Sequence, residues 1–381
     1  MKILIVKLNY IESASSCNVM ALGLIEGLHS LGNEITIVSI KKNENMLSNN
    51  LLDKNKYKLV LLGESKYLNL TKSNKKTMKQ KITLFCKKII KKLFIYDHTY
   101  KTAKNLKIDD FKDEYYDLVI SISDSKTSHI GAKTLIKQGL KYDKWIQYWG
   151  DPLALDITRQ TIYPKCILKH FEKKLISDSD YVFYVSPLTY EANKKIYKKL
   201  SNKFRFAPTP YVSERYISTA NNKYVIGYYG DYTYRVRNIK PLYNACLNLD
   251  DSIELKIIGD GDVKLNSTTN IKVLGRCNVY EHEMNTDLFI CLLNKKGTQI
   301  PGKLFYCAAT NKPVLIILDG EYQSVIKEYF EKYDRFVFCE NNEESIKNAI
   351  KTIMSSNKLY EPLDAFSSIK VASSFLSQIY E

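Results

Sequence analysis

Four short apolar runs in the second half of the chain constrain its fold more than any other feature. Tyr224-Val-Ile-Gly-Tyr-Tyr-Gly230, Glu254-Leu-Lys-Ile-Ile-Gly259 and Ile271-Lys-Val-Leu-Gly275 each end in glycine, and Val314-Leu-Ile-Ile-Leu318 follows. Runs of this length without helical periodicity read as strands buried on both faces, as in a parallel sheet. Glycine at a strand end lets the backbone turn sharply. In open parallel sheets, ligands lie over those carboxyl ends. Arg235-Val-Arg237-Asn238 follows the first run, Asp260-Gly261-Asp262 the second and Arg276 the third.

The first half alternates in the same way. Met1-Lys-Ile-Leu-Ile-Val6 reads as a strand, and Val19, Leu22, Ile25 and Leu28 recur at helical spacing before Gly32, a C-cap. Strands are predicted at 34–40, 58–62, 117–121, 144–148 and 181–185, with helices near 130–138, 164–177 and 187–200 between them. Strand and helix in alternation imply an α/β chain with doubly wound parallel sheets. The polar stretch 211–222 reads as a hinge between residues 1–210 and a second domain from 223 to 362, and 363–381 as a terminal helix.

Gln299-Ile-Pro-Gly-Lys-Leu-Phe-Tyr306 opens a helical run that stops at Asn311-Lys312-Pro313. A helix starting at Pro301-Gly302 turns backbone N–H groups and its positive end outward, and Lys303 adds a full charge. Such a start suits an anion such as a diphosphate.

Charge is divided unevenly. Residues 1–210 hold 37 Lys+Arg and 20 Asp+Glu, net +17; the remainder holds 20 and 21, net −1, giving the +16 of the chain. One half is therefore expected to face an anionic partner. The lysine-rich segment 72–95 adds a pattern of its own. Met78, Ile82, Phe85, Cys86, Ile89, Ile90 and Leu93 fall on one helical face, with Lys81, Lys87, Lys88, Lys91 and Lys92 opposite or beside it. A basic amphipathic helix of this kind can lie on an anionic membrane surface through residues 78–95. No nucleic-acid fold signature is present, and a nucleic-acid partner is not expected. The eight cysteines lack any CxxC and the five histidines are dispersed, so neither a disulfide frame nor a metal site is expected. The start is too short and too soon polar for a signal peptide, and no run of eighteen apolar residues occurs.

The succession strand–Gly–basic loop, strand-GDG, strand-G-R and PGK-helix-KPV resembles the donor half of GT-B glycosyltransferases. It is most similar to the large group 1, or family 4, set that builds bacterial surface polysaccharides. The resemblance implies two Rossmann-like domains facing across a cleft, with the terminal helix packing back on the first. It also implies sugar transfer from a nucleotide-sugar donor to a lipid-linked saccharide acceptor, without metal or cofactor, at the inner face of the plasma membrane. Arg237 (or Arg235), Lys303 and amides near Gly230 and Gly302 would stabilise the departing diphosphate. Gly259, Gly261, Gly275 and Arg276 would approach the nucleoside. Two departures stand out. The family glutamates fall at Thr298 and Tyr306, so Tyr306 would offer the ribose one hydroxyl. Ser13, Ser15 and Ser16 replace glycines in the first loop.

In the first half, Gln147-Tyr-Trp-Gly-Asp-Pro-Leu-Ala-Leu-Asp156 directly follows a strand. Asp151 is the candidate general base for an acceptor hydroxyl. Tyr148 and Trp149 are candidates for stacking on a sugar ring, and Asp124 and His129 are further acceptor-side candidates. The alternatives are a non-catalytic sugar-nucleotide-binding protein and a sugar-nucleotide epimerase of the same fold.

Overall fold

The computed structural model describes residues 1–13, 15–41, 51–63, 92–159, 161–219 and 221–381. Nearly all of the lysine-rich insert, including the face from Met78 to Ile90, lies outside the described residues. The chain divides into two compact units, Met1–Pro208 with Ala372–Glu381, and Thr209–Val371.

The first unit is built on a seven-stranded sheet. Its strands are β1 (Lys2–Lys7), β2 (Glu34–Ile40), β3 (Lys58–Leu62), β4 (Tyr115–Ile122), β5 (Lys141–Trp149), β6 (Tyr181–Tyr184) and β7 (Phe204–Phe206), in the order β3-β2-β1-β4-β5-β6-β7. Every pairing is parallel. The strands are buried because they run apolar on both faces; Ile3, Leu4, Ile5 and Val6 have no exposed surface. The helix Ser16–Ser30 ends as its sequence predicts, with Gly32 at φ +80° donating its N–H to His29 O. β7 is an addition to the predicted strands. Its three residues extend the sheet edge beyond the last apolar run.

The second unit holds β8 (Tyr224–Tyr229), β9 (Ile253–Ile258), β10 (Ile271–Leu274), β11 (Leu288–Leu292), β12 (Val314–Leu318) and β13 (Val337–Glu340). They pair in the order β10-β9-β8-β11-β12-β13, all parallel. Counted within the unit, that is 3-2-1-4-5-6, the doubly wound dinucleotide-fold order, whose direction reverses between β8 and β11. β11 was not among the predicted strands. Leu-Phe-Ile-Cys-Leu is wholly buried and has no alternation to announce it.

Residues 211–222, expected as a hinge, are held within the second unit. Tyr211 N–H donates to Phe366 O, Arg215 N–H to Ala309 O at 2.8 Å, and Ile217 N–H to Asn311 Oδ1 at 2.8 Å. The last helix, Ser368–Tyr380, passes to the first unit at Ala372. There Phe375 packs 4.2 Å from the Phe183 ring and edge-on to Tyr148. Among the described residues no helix is long and apolar enough to cross a membrane.

Candidate functional site

Where a doubly wound sheet reverses, two loops diverge and leave room for a ligand. In the second unit these are the loops after β8 and β11, and Arg237 spans them. Its Nη1 donates to Asp231 O at 3.0 Å and its Nε to Asn294 Oδ1 at 2.9 Å. Asn294 is itself fixed, its amide donating to Gln299 O at 2.7 Å. The guanidinium is thus half-buried and pre-oriented, while Arg235 is exposed.

Asp231 organises the neighbouring strand ends. Its Oδ1 accepts from Asp260 N–H at 3.0 Å, and its Oδ2 pairs with Arg276. Arg276 also faces Asp260 at 3.5 Å, and its pKa is raised by the Asp231 hydrogen bond in spite of partial burial. Expected to approach a base, Arg276 instead clasps two aspartates across the loops. The glycines serve the same closure. A Cβ on Gly259 would lie 2.1 Å from Gly230 O, and one on Gly261 would lie 2.0 Å from the Tyr232 ring. Both approach protein, not open space. Gly275 borders open space and Gly230 makes only ordinary contacts with Tyr228 and Arg237.

The predicted helix after Pro301-Gly302 is only Lys303–Cys307, with Leu304, Phe305, Tyr306 and Cys307 all buried. Its amino end is too short to act as a dipole site. Lys303 pairs with Glu283 Oε1 at 2.6 Å, and Arg215 reaches Glu283 Oε2 at 2.5 Å. Burial raises the Glu283 pKa, but Lys303 and Arg215 outweigh it and hold the carboxyl below its usual range. The trio carries one surplus positive charge. Arg215 Nη2 also donates to Tyr306 O at 2.9 Å. Tyr306, expected at the ribose, is 8% exposed and turned into the core.

In the first unit the reversal lies between β1 and β4, and ionic groups fill it. Lys7, fully buried at the end of β1, donates to Asp124 O, as does Asn9 Nδ2 at 2.7 Å. Asn9 Nδ2 also reaches Asn18 Oδ1 at 2.8 Å, and Asn18 Nδ2 holds Ser13 Oγ at 2.7 Å. Lys126 Nζ lies 2.5 Å from Asp124 Oδ1 and 3.8 Å from Asp156 Oδ2. Burial depresses the Lys126 pKa, but Asp124, Asp156 and Asp151 together raise it above the usual lysine value. Asp124 and Asp151 are partly exposed.

Three acceptor-side expectations need correction. Tyr148 and Trp149 are fully buried, and cannot stack on a sugar. Trp149 packs 4.4 Å from His129, which is also fully buried and donates to or accepts from Ser121 Oγ at 2.9 Å. Burial, with Lys126 and Lys7 nearby, drives the His129 pKa well below the imidazole range. The aromatic pair is core.

The sequence reading missed Lys7, Asn9, Lys126, Glu172, Glu283 and Asn294. Lys7 had a signal: a charged residue closing an otherwise apolar strand. The carboxylate of Glu172 accepts from Leu153 N–H at 2.8 Å, Ala154 N–H at 3.3 Å and the Tyr197 hydroxyl at 2.7 Å, anchoring the loop that carries Asp151 and Asp156. Among the described residues no cluster of His, Cys, Asp and Glu has the arrangement of a metal site.

No family model matches the chain, and no curated protein matches it in sequence. Solved structures do match it over its whole length. HepE of Anabaena, in complex with UDP-glucose, is 11% identical with a TM-score of 0.61, covering 100% of this chain and 99% of that one. The apo lipopolysaccharide outer core galactosyltransferase WaaB is 13% identical, with a TM-score of 0.51 and coverage of 100% and 99%. A UDP-N-acetylglucosamine 2-epimerase is 12% identical, with a TM-score of 0.55 and coverage of 100% and 96%. At such identities the likeness is one of fold. The chain has the GT-B fold, two Rossmann-like doubly wound parallel-sheet domains.

Proposed function

We propose that the chain is a glycosyltransferase that moves a sugar from a nucleotide-sugar donor to an acceptor hydroxyl. The observation that carries this reading is Arg237, fixed by Asp231 and Asn294 where the second sheet reverses. As the bond between the anomeric carbon and the diphosphate oxygen breaks, its electron pair passes to that oxygen. A fixed cation there stabilises the departing charge, a term usually among the largest in such catalysis. Lys303 would add to it, its position set by Glu283. The acceptor oxygen bonds to the anomeric carbon and its proton passes to a carboxylate, Asp151 in this reading, with Asp124 the neighbouring candidate. No metal or cofactor takes part in this scheme. GT-B neighbours include the lipopolysaccharide galactosyltransferase WaaB and HepE bound to UDP-glucose. With them, the reading extends to a uridine-diphosphate sugar and a lipid-linked saccharide acceptor in surface polysaccharide assembly at the cytoplasmic face of the membrane.

A second reading, sugar-nucleotide epimerisation, is favoured by one feature: Asp124, Asp156 and Asp151 all surround Lys126. Epimerase neighbours share the fold. The test is release of the donor's nucleotide (UDP, GDP or CMP) from UDP-, GDP- and CMP-sugars with and without saccharide acceptors. Acceptor-dependent release that disappears in Arg237→Ala supports transfer. An altered sugar formed without acceptor supports the epimerase, and neither turnover nor donor binding would leave a non-catalytic protein.

A further inference from the structure

The first unit leaves several large apolar side chains in the open at one place. Leu93 is 46% exposed, Phe94 59%, Ile162 62% and Ile167 38%. They come from two segments fastened side by side. Ile162 N–H donates to Lys92 O at 3.3 Å, the Tyr163 hydroxyl to Leu93 O at 3.0 Å and Arg159 Nη2 to Phe94 O at 3.1 Å. One of these bonds joins main chain to main chain and two are donated by the Tyr163 and Arg159 side chains, while Leu93, Phe94 and Ile162 keep their own side chains exposed. Soluble surfaces carry single exposed apolar residues freely, but a joined set of this kind marks a contact surface.

The charge around it selects the partner. From residue 157 to 177 the bases are Arg159, Lys165, Lys169, Lys173 and Lys174, and the only acid is Glu172, which is fully buried. Lys92 and Lys165 are exposed beside the apolar residues. A phenylalanine and branched aliphatics beside the exposed Lys92 and Lys165 fit the headgroup boundary of an anionic bilayer. The apolar groups enter the acyl edge and the ammonium groups meet phosphates. Nucleic acid would need the cations but not the aliphatic side chains. A second copy of the chain would bring the same charges into repulsion.

We infer that Leu93, Phe94, Ile162 and Ile167, with Lys92 and Lys165, form the seat of this protein on an anionic lipid surface. The inference stands on these residues alone and not on the transfer reaction. The test is co-sedimentation of the full chain with phosphatidylcholine vesicles, with or without phosphatidylglycerol. Binding is expected only with phosphatidylglycerol, weakening about tenfold in the double variant Phe94→Ser/Ile162→Ser, which is about 1.4 kcal/mol. Lys92→Glu/Lys165→Glu is expected to weaken it similarly, and both variants should melt like the parent because the altered side chains are exposed. Equal binding by the double variant overturns the inference, as does equal binding to neutral vesicles. So does light scattering that finds a parental dimer and a monomeric variant, or a preference for RNA competitor over vesicles. Turnover of a soluble acceptor should be unchanged in the double variant, so failure of the lipid seat and failure of the transferase reading are separately visible.

Discussion

Two buried glutamates, one from each unit, are held in opposite ways. Glu172, in the first unit, has no exposed surface and receives two backbone N–H groups and a tyrosine hydroxyl. Burial raises its pKa above the usual range, against those hydrogen bonds. Glu283, in the second unit, receives two full cations, Lys303 and Arg215, and its pKa is lowered although burial acts the other way. Dipoles alone leave a buried carboxylate short of the solvation it lost, whereas paired cations restore it. The same contrast separates the sheet reversals. The first unit packs charges against each other around Lys126, while the second keeps a fixed guanidinium, Arg237, beside a loop whose Arg235 is exposed.

The largest effect should come from removing the anion on which two cations depend. Glu283→Ala leaves Lys303 and Arg215 without a counter-charge, and breaking a buried ionic group typically costs about 3–5 kcal/mol. Urea unfolding should show that loss. A loss below about 1 kcal/mol would mean water reaches the trio and the contrast with Glu172 is weaker than the geometry says. The pH dependence has a definite sign. A lowered folded-state pKa gives stability that is present above the unfolded glutamate value, about 4.3, and lost as pH falls through the folded value. The advantage of the parent over Glu283→Gln should therefore shrink in acid.

Next in size is the functional cation. Arg237→Ala should lower kcat about 100-fold, equivalent to about 2.7 kcal/mol, with stability little changed. Asn294→Ala, which releases Arg237 Nε, should lower kcat about tenfold. Equal losses in the two variants would show that Asn294 has a role beyond holding the guanidinium. Steady-state rates with a saturating donor distinguish these outcomes.

Much of the architecture was legible because burial on both faces writes itself into strands as apolar runs. Glycines at 230, 259 and 275 correctly marked the carboxyl ends. β11 escaped because five apolar residues lack a period, and β7 because three residues at an edge carry almost none of the core. The site was less legible. Tyr148 and Trp149 looked available to a sugar since they adjoin a loop aspartate. Strand β5 instead turns both rings inward, against His129 and the last helix. Arg237 was visible from its place after β8, but its partner Asn294 follows the strand that had no signal. Glu172 and Glu283 lie on helices remote in sequence from what they hold, and nothing local marks such pairing.

The smallest effect, and the one that tests the comparison most directly, belongs to Glu172. Glutamine keeps the shape and one carbonyl acceptor but cannot accept at both ends, so the loop N–H groups and Tyr197 share fewer partners; a cost of about 1 kcal/mol in acid follows. The linkage then runs opposite to that of Glu283. A raised folded-state pKa gives stability that is full below the unfolded value and lost as pH rises through the folded one. The parent therefore loses ground as pH rises past the unfolded value, while the uncharged glutamine does not. Urea midpoints of parent and Glu172→Gln should converge, or cross, as pH rises from about 4.3. For Glu283→Gln they should stay apart over that range and close only as pH falls below about 4.3. Parallel curves for the two variants would show that both carboxylates experience one environment, and the distinction between dipole-held and cation-held glutamate would fail.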